Sequence, residues 1–156
     1  SHWQTWDYCS HDGTLEERGG TTYQKWDFVV LTNESTTTFE CDSSVTIRAH
    51  QAPGDEWEQR CHDRDHPETV SAGPYRFVGR EELRIGDASV PAFRYHRERT
   101  MSGGQQGTER SDVWFAVDTG LPLRNERAID VATATPIGDV RYTEDASFEA
   151  TSVDPV

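Results

Sequence analysis

Apolar and polar residues alternate with a period of two along most of this chain. In TTYQKWDFVVL, Trp26, Phe28 and Val30 share one face. In SVTIRAH, Val45, Ile47 and Ala49 alternate with Thr46, Arg48 and His50. In DVRYTEDASFEA, Val140, Tyr142, Ala146 and Phe148 face one way, and Arg141, Thr143, Asp145, Ser147 and Glu149 the other. One buried face and one wet face is the mark of an antiparallel sheet. Further strands fit PYRFVG, EELRIG, VPAFRYHRER and LRNERAIDVATA. The breaks between them carry turn chemistry at Pro53-Gly54-Asp55, Gly86-Asp87, Ser102-Gly103-Gly104 and residues 136–139.

The stretch SDVWFAVDTGLPLRNER departs from strict alternation. Its unbroken apolar run, Val113 to Val117, predicts a strand buried on both faces or nearly so. Asp118 to Gly120 turns the chain back. Pro122 then falls within the first two positions of the returning strand, where its missing N–H is tolerated and its fixed φ helps set the register. No long helix is predicted. In SHDGTLEERGG, Asp12 as an N-cap would start one turn at best before two glycines end it. The expectation is a single β domain over residues 1–156, with an irregular segment at 1–20 and a tail at 150–156.

Composition narrows the partners. The chain has 156 residues and a formal charge of −13, so it repels polyanions, and nucleic acid is excluded as a partner. An anionic membrane surface is disfavoured for the same reason. No apolar run is long enough for a transmembrane helix, and no signal-peptide pattern is expected within these residues. Starting at Ser1 rather than Met, the chain reads as a processed or excised piece. The five Trp, five Tyr and six Phe lie within patterned segments, which argues for a packed core over disorder.

Of the three cysteines, Cys41 and Cys61 each follow a strand-like stretch and are expected to meet as a disulfide across neighbouring strands. That pairing places the protein outside the cytoplasm. Cys9 is then left free, or pairs with a segment beyond this chain. The alternative is three reduced thiols.

Three stretches in order, FVGREELRIGDASVPAFRYHRER, SDVWFAVDTGLPLRNER and IGDVRYTEDASFEATSVDP, resemble a class of secreted actinobacterial proteins and the wider LolA-like and LppX-like group. The positions that carry the resemblance are Val78, Gly79, Glu81, Trp114, Phe115, Gly120, Leu121, Pro122, Leu123 and Arg124. The resemblance covers about half the chain, residues 75 to 154. The resemblance implies a large curved antiparallel sheet, an open half-barrel whose concave face holds a lipid or other apolar ligand. It also implies helices across the mouth of the half-barrel, and this sequence has none.

No catalytic signature stands out. Cys61-His62-Asp63-Arg64-Asp65-His66 is the densest polar cluster, but Pro67 follows it and the surroundings read as a loop rather than a metal-binding helix. Ser10-His11-Asp12 has the residue types of a triad, but neighbours in sequence do not form one. No nucleophile elbow, phosphate loop or cofactor motif occurs, and no cofactor or metal is expected. Arginines offer one further clue. The face carrying Phe93 and Tyr95 continues to Arg97 and Arg99, and the face carrying Leu121, Leu123, Ile129 and Val131 is interrupted by Asn125 and Arg127. Unless a bulge resets the alternation and turns them to solvent, these arginines point to the apolar side. There they must be paired, or hold a carboxylate or phosphate head group.

The sequence therefore predicts an all-β, non-enzymatic, extracytoplasmic protein that binds an apolar or amphipathic ligand on a curved sheet. Trp26, Phe28, Phe93, Tyr95, Trp114, Tyr142 and Phe148 would supply apolar contact, with Arg97 or Arg127 at the head group. The alternative is a protein–protein or structural module of a secreted or cell-envelope protein, with a filled core and no small ligand.

Overall fold

A computed structural model describes residues 2–27, 32–135 and 138–153. Ten strands follow one another: β1 (His2–His11), β2 (Thr14–Asp27), β3 (Thr32–Ser43), β4 (Val45–Ile47), β5 (Glu56–Asp63), β6 (Val70–Ile85), β7 (Ala88–Ser102), β8 (Gln105–Ala116), β9 (Pro122–Thr135) and β10 (Gly138–Glu149). They form one antiparallel sheet in the order β1-β2-β3-β5-β6-β7-β8-β9-β10, with β4 paired to β2. Sequence order and sheet order coincide, as expected of a meander. The sheet is open and curls into a half-barrel, and no helix occurs among the described residues.

The N-terminal segment differs from expectation. Residues 2–27 are not irregular but form the long hairpin β1–β2. Its turn is Asp12-Gly13, with φ values of 48° and 74°, the left-handed conformation that a two-residue hairpin turn requires. A register shift between Asp7 and Tyr8 lets Tyr8 oppose Glu17. Residues 150–153 also pack: the Ala150 amide donates to the Leu123 carbonyl, and Ala150 and Val153 lie against buried side chains.

The hairpin around Gly120 forms as its sequence predicts. Val113, Trp114, Phe115 and Ala116 are all buried. Gly120, at φ 69°, turns the chain, and Pro122 is the first residue of β9. The pairing shifts between Trp114 and Phe115, where Arg124 opposes Trp114 and Pro122 opposes Phe115. Leu123 is therefore the extra residue of a bulge, driven into the core at 1% exposure.

Two hydrophobic clusters lie on opposite faces of the sheet. The concave one joins Ile47, Trp57, Tyr75, Phe77, Tyr95, Val113 and Phe115, with Tyr8, Leu15, Val45 and Phe93 against it. Its aromatic rings stack or meet edge to face: Tyr75 on Tyr95 at 4.9 Å, Phe77 on Phe93 at 5.6 Å and Tyr8 on Phe115 at 5.9 Å. The convex one joins Ile85, Ala92, Trp114, Ala116 and Leu123, the last of which, at the bulge, also reaches the concave side. Cys41 and Cys61 oppose each other on β3 and β5 and form the disulfide, while Cys9 on β1 is free and exposed.

Candidate functional site: a cleft beside a buried charge network

The register sets side chains in rows across the concave face. One row runs Phe77, Tyr95, Val113, Asn125, Phe148. The next runs Tyr75, Arg97, Ser111, Arg127, Ala146. The third runs Arg99, Glu109, Ile129, Glu144. Pairing of β7 with β8 is unbroken from Ala92 to Met101, so the alternation that carries Phe93 and Tyr95 inward carries Arg97 and Arg99 inward too. Arg127 follows Asn125 in the same way. The concave face thus changes from aromatic to charged within two rows.

These arginines are buried at 7–8% exposure, and each is paired. Arg97 donates to Glu109 at 2.5 Å and to the Ser111 hydroxyl at 3.0 Å, and lies 3.8 Å from Glu17. Arg99 donates to Glu17 at 3.2 Å and to Gln59 at 2.9 Å. Arg127 donates to Glu144 at 2.5 Å and to Gln4 at 2.7 Å. The partners on β1 and β2 show how the half-barrel is covered: the N-terminal hairpin curls over and faces β7 to β9 with its own polar side chains.

Burial opposes ionisation throughout this network, and proximity reverses the outcome. Burial alone would raise the Glu109 pKa, but Arg97, Arg99 and Arg127 hold it below the ordinary carboxylate value. Burial acts on Glu144 in the same direction and is overcome by Arg127, Tyr142 and His2. The Arg97 guanidinium is desolvated, yet Glu109 and Glu17 keep its pKa above the ordinary value. Next to it, burial and then Tyr95 push the Tyr75 phenol well up, so Tyr75 presents a neutral hydroxyl. Burial first, then Glu144, raises Tyr142 to about 12.

A cleft of about 230 Å³ opens where the aromatic and charged parts of the concave face meet. Its apolar wall includes Trp6, Tyr8, Val113, Phe115, Leu123 and Phe148, and its polar wall includes Glu17, Tyr75, Arg97, Arg124 and Asn125. Three polar atoms of the lining residues are buried without a hydrogen-bond partner among the described residues, the Tyr75 hydroxyl, Asn125 Oδ1 and Arg124 Nε. By contrast, the Tyr95 hydroxyl accepts from Gln51 at 2.6 Å.

Comparison of the chain with family models, curated proteins and solved structures finds no match in any of the three.

The structure distributes the sequence-predicted residues unevenly. Arg97 and Phe148 line the cleft, and Phe148 is 40% exposed there. Phe93 and Tyr95 lie on the same concave face, but within the aromatic core, with Tyr95 fully buried. Arg127 and Tyr142 belong to the charged end, where Tyr142 donates to Glu144. Trp114 stands on the convex face: alternation along β8 sends Val113 and Phe115 inward and Trp114 outward. There its indole donates to Glu81 and its ring lies under Arg94 and Arg124. Trp26 is in β2 by its backbone, and Phe28 lies outside the described residues. Sequence reasoning missed Trp6, Tyr8 and Glu17, because reading 1–20 as irregular hid their strands. The Asp12-Gly13 turn was the signal that would have found them.

The polar loop after β5 makes no metal centre among the described residues. His62 lies near Glu40 and Asp42, and His66 near Glu68. Glu17, Cys41 and Cys61 do converge, with candidate ligand atoms within 4.8 Å of one another. Both sulfurs are bonded in the disulfide, so no thiolate is available to a metal.

Proposed function

We propose that this protein binds a small apolar or amphipathic molecule without chemical turnover, in the cleft on the concave side of its half-barrel. The observation that carries this reading is the cleft itself, a largely apolar hollow bordered by a few polar groups, as ligand sites commonly are. Its volume of about 230 Å³ falls below the roughly 300 Å³ at which drug-sized sites begin, so the ligand is a small one or a single chain. The Cys41–Cys61 disulfide supports a secreted or cell-envelope location.

One observation favours a second reading, a protein–protein module. Trp3 and Trp6 on β1, and Val140 and Phe148 on β10, are exposed, and these two strands are the edges of the sheet. Exposed apolar edges pair readily with another chain.

Organic extraction of the purified native protein, followed by mass spectrometry, tests the first reading, together with titration by a fluorescent apolar probe. A stoichiometric small molecule in the extract, or saturable probe uptake that Phe115→Ala weakens, supports it. An empty extract with no probe uptake overturns it and leaves the edge-pairing reading.

A further inference from the structure

The chemistry of the ligand follows from the charges around the cleft. The buried network holds Arg97, Arg99 and Arg127 against Glu17, Glu109 and Glu144, three cations to three anions, each cation within 4 Å of a carboxylate. At the rim, Arg124 is matched by Glu126 at 2.5 Å and Glu149 at 3.9 Å. Each cation on the cleft wall is thus already matched in charge by a carboxylate, although Arg124 Nε makes no hydrogen bond among the described residues. A charge brought into this desolvated place without a partner is strongly disfavoured, and the rim and the overall charge of −13 repel an anion further.

What the cleft does leave open is hydrogen bonding rather than charge pairing. The Tyr75 hydroxyl, on a residue 1% exposed, Asn125 Oδ1 and Arg124 Nε belong to residues that line it, and all three are buried and unpartnered among the described residues. Such groups are rare in folded proteins and call for a partner. A ligand hydroxyl can donate to Asn125 Oδ1 and accept from the Tyr75 hydroxyl or from Arg124 Nε. Val113, Phe115, Leu123 and Phe148 then take the hydrocarbon part.

Resting on the binding function proposed above, we infer that the ligand is an uncharged amphiphile, a hydrocarbon bearing a hydroxyl, and that the buried arginines serve the fold rather than the head group. The test is isothermal titration of the native protein with three probes of one chain length, 1-octanol, octanoate and octyltrimethylammonium, near neutral pH. The expected result is octanol binding at least tenfold more tightly than either charged probe. Asn125→Ala and Tyr75→Phe should each weaken octanol binding roughly two- to tenfold, the range of one net hydrogen bond. Octanoate or the ammonium binding as tightly as octanol overturns the inference while the binding function stands. Octanol binding that neither substitution weakens overturns it in the same way. If none of the three binds while the fluorescent apolar probe does, the inference again fails alone. If nothing apolar binds at all, the binding function fails and the inference with it.

Discussion

Replacing Arg97 with methionine separates the structural from the recognition role of the buried charges. Methionine keeps the length of the aliphatic stem and removes the guanidinium, so the change is electrostatic more than volumetric. It deletes the donor to Glu109 and the hydrogen bond to Ser111, leaving two cations against three anions in the network. The side chain of Glu109 is 9% exposed and cannot recover its hydration. Removing one member of a buried pair costs about 3–5 kcal/mol. At roughly 2–4 °C per kcal/mol for a chain this size, Tm should fall by about 6–20 °C. Arg97→Met combined with Glu109→Leu restores neutrality at two against two, and should recover most of that loss, because a buried ion pair and an apolar pair are often near equal in stability. Differential scanning calorimetry of the wild type, both single variants and the double variant closes the cycle. If Arg97→Met alone melts within about 2 °C of wild type, or the losses of the two single variants simply add, the charge-balance reasoning is wrong.

Three further outcomes are expected. Tyr75→Phe removes a buried hydroxyl that has no partner among the described residues, and should raise the stability of the ligand-free protein by about 1 kcal/mol; a lower Tm would reveal a partner for that hydroxyl. Glu109 and Glu144 both have folded pKa values below the ordinary 4.5, so their stabilisation is complete above about pH 4.5 and is lost as pH falls through the folded values. Thermal melts should therefore decline with acid below about pH 4.5, less steeply in Glu109→Gln, and a flat profile down to about pH 3 would contradict the pairing. Finally, the Cys41→Ser/Cys61→Ser variant should lose about 3 kcal/mol, given the separation of 20 residues. In the native protein a maleimide should label Cys9 alone, and labelling of a second site without reductant would show the disulfide to be incomplete.

The parts of the fold that the sequence makes legible are those where alternation runs long enough to count. β7 to β10 follow from such runs, and the burial of Val113 to Ala116 on both faces follows from their continuity. The direction of Arg97 and Arg127 depends on where bulges fall, and only the pairing register shows that β7 runs unbroken from Phe93 through Arg99 while the shift in β9 falls at Leu123, ahead of Asn125 and Arg127. Trp114 is grouped with the wrong face by sequence because a strand buried on both sides gives no polar residue to mark which face is which. The N-terminal hairpin is hidden because β1, HWQTWDYCSH, is an edge strand with little to bury, so its apolar signal is weak. What the hairpin contributes to the site, Glu17 and Gln4, is visible only once the curl of the sheet brings it over residues 82 to 123 positions away. No local pattern encodes a contact at that distance.

That distance bears on how the chain reaches its native state. Each successive strand along the main sheet pairs with the one before it, so most of the ladder can form by zippering between neighbours. The Glu17–Arg99 and Gln4–Arg127 contacts instead close loops that span most of the chain, and chain-closure entropy opposes them until the sheet exists. The charges that must be matched in the finished interior therefore remain hydrated until late in folding. Mutations among them should act mainly by speeding unfolding, with little effect on the rate at which the sheet assembles.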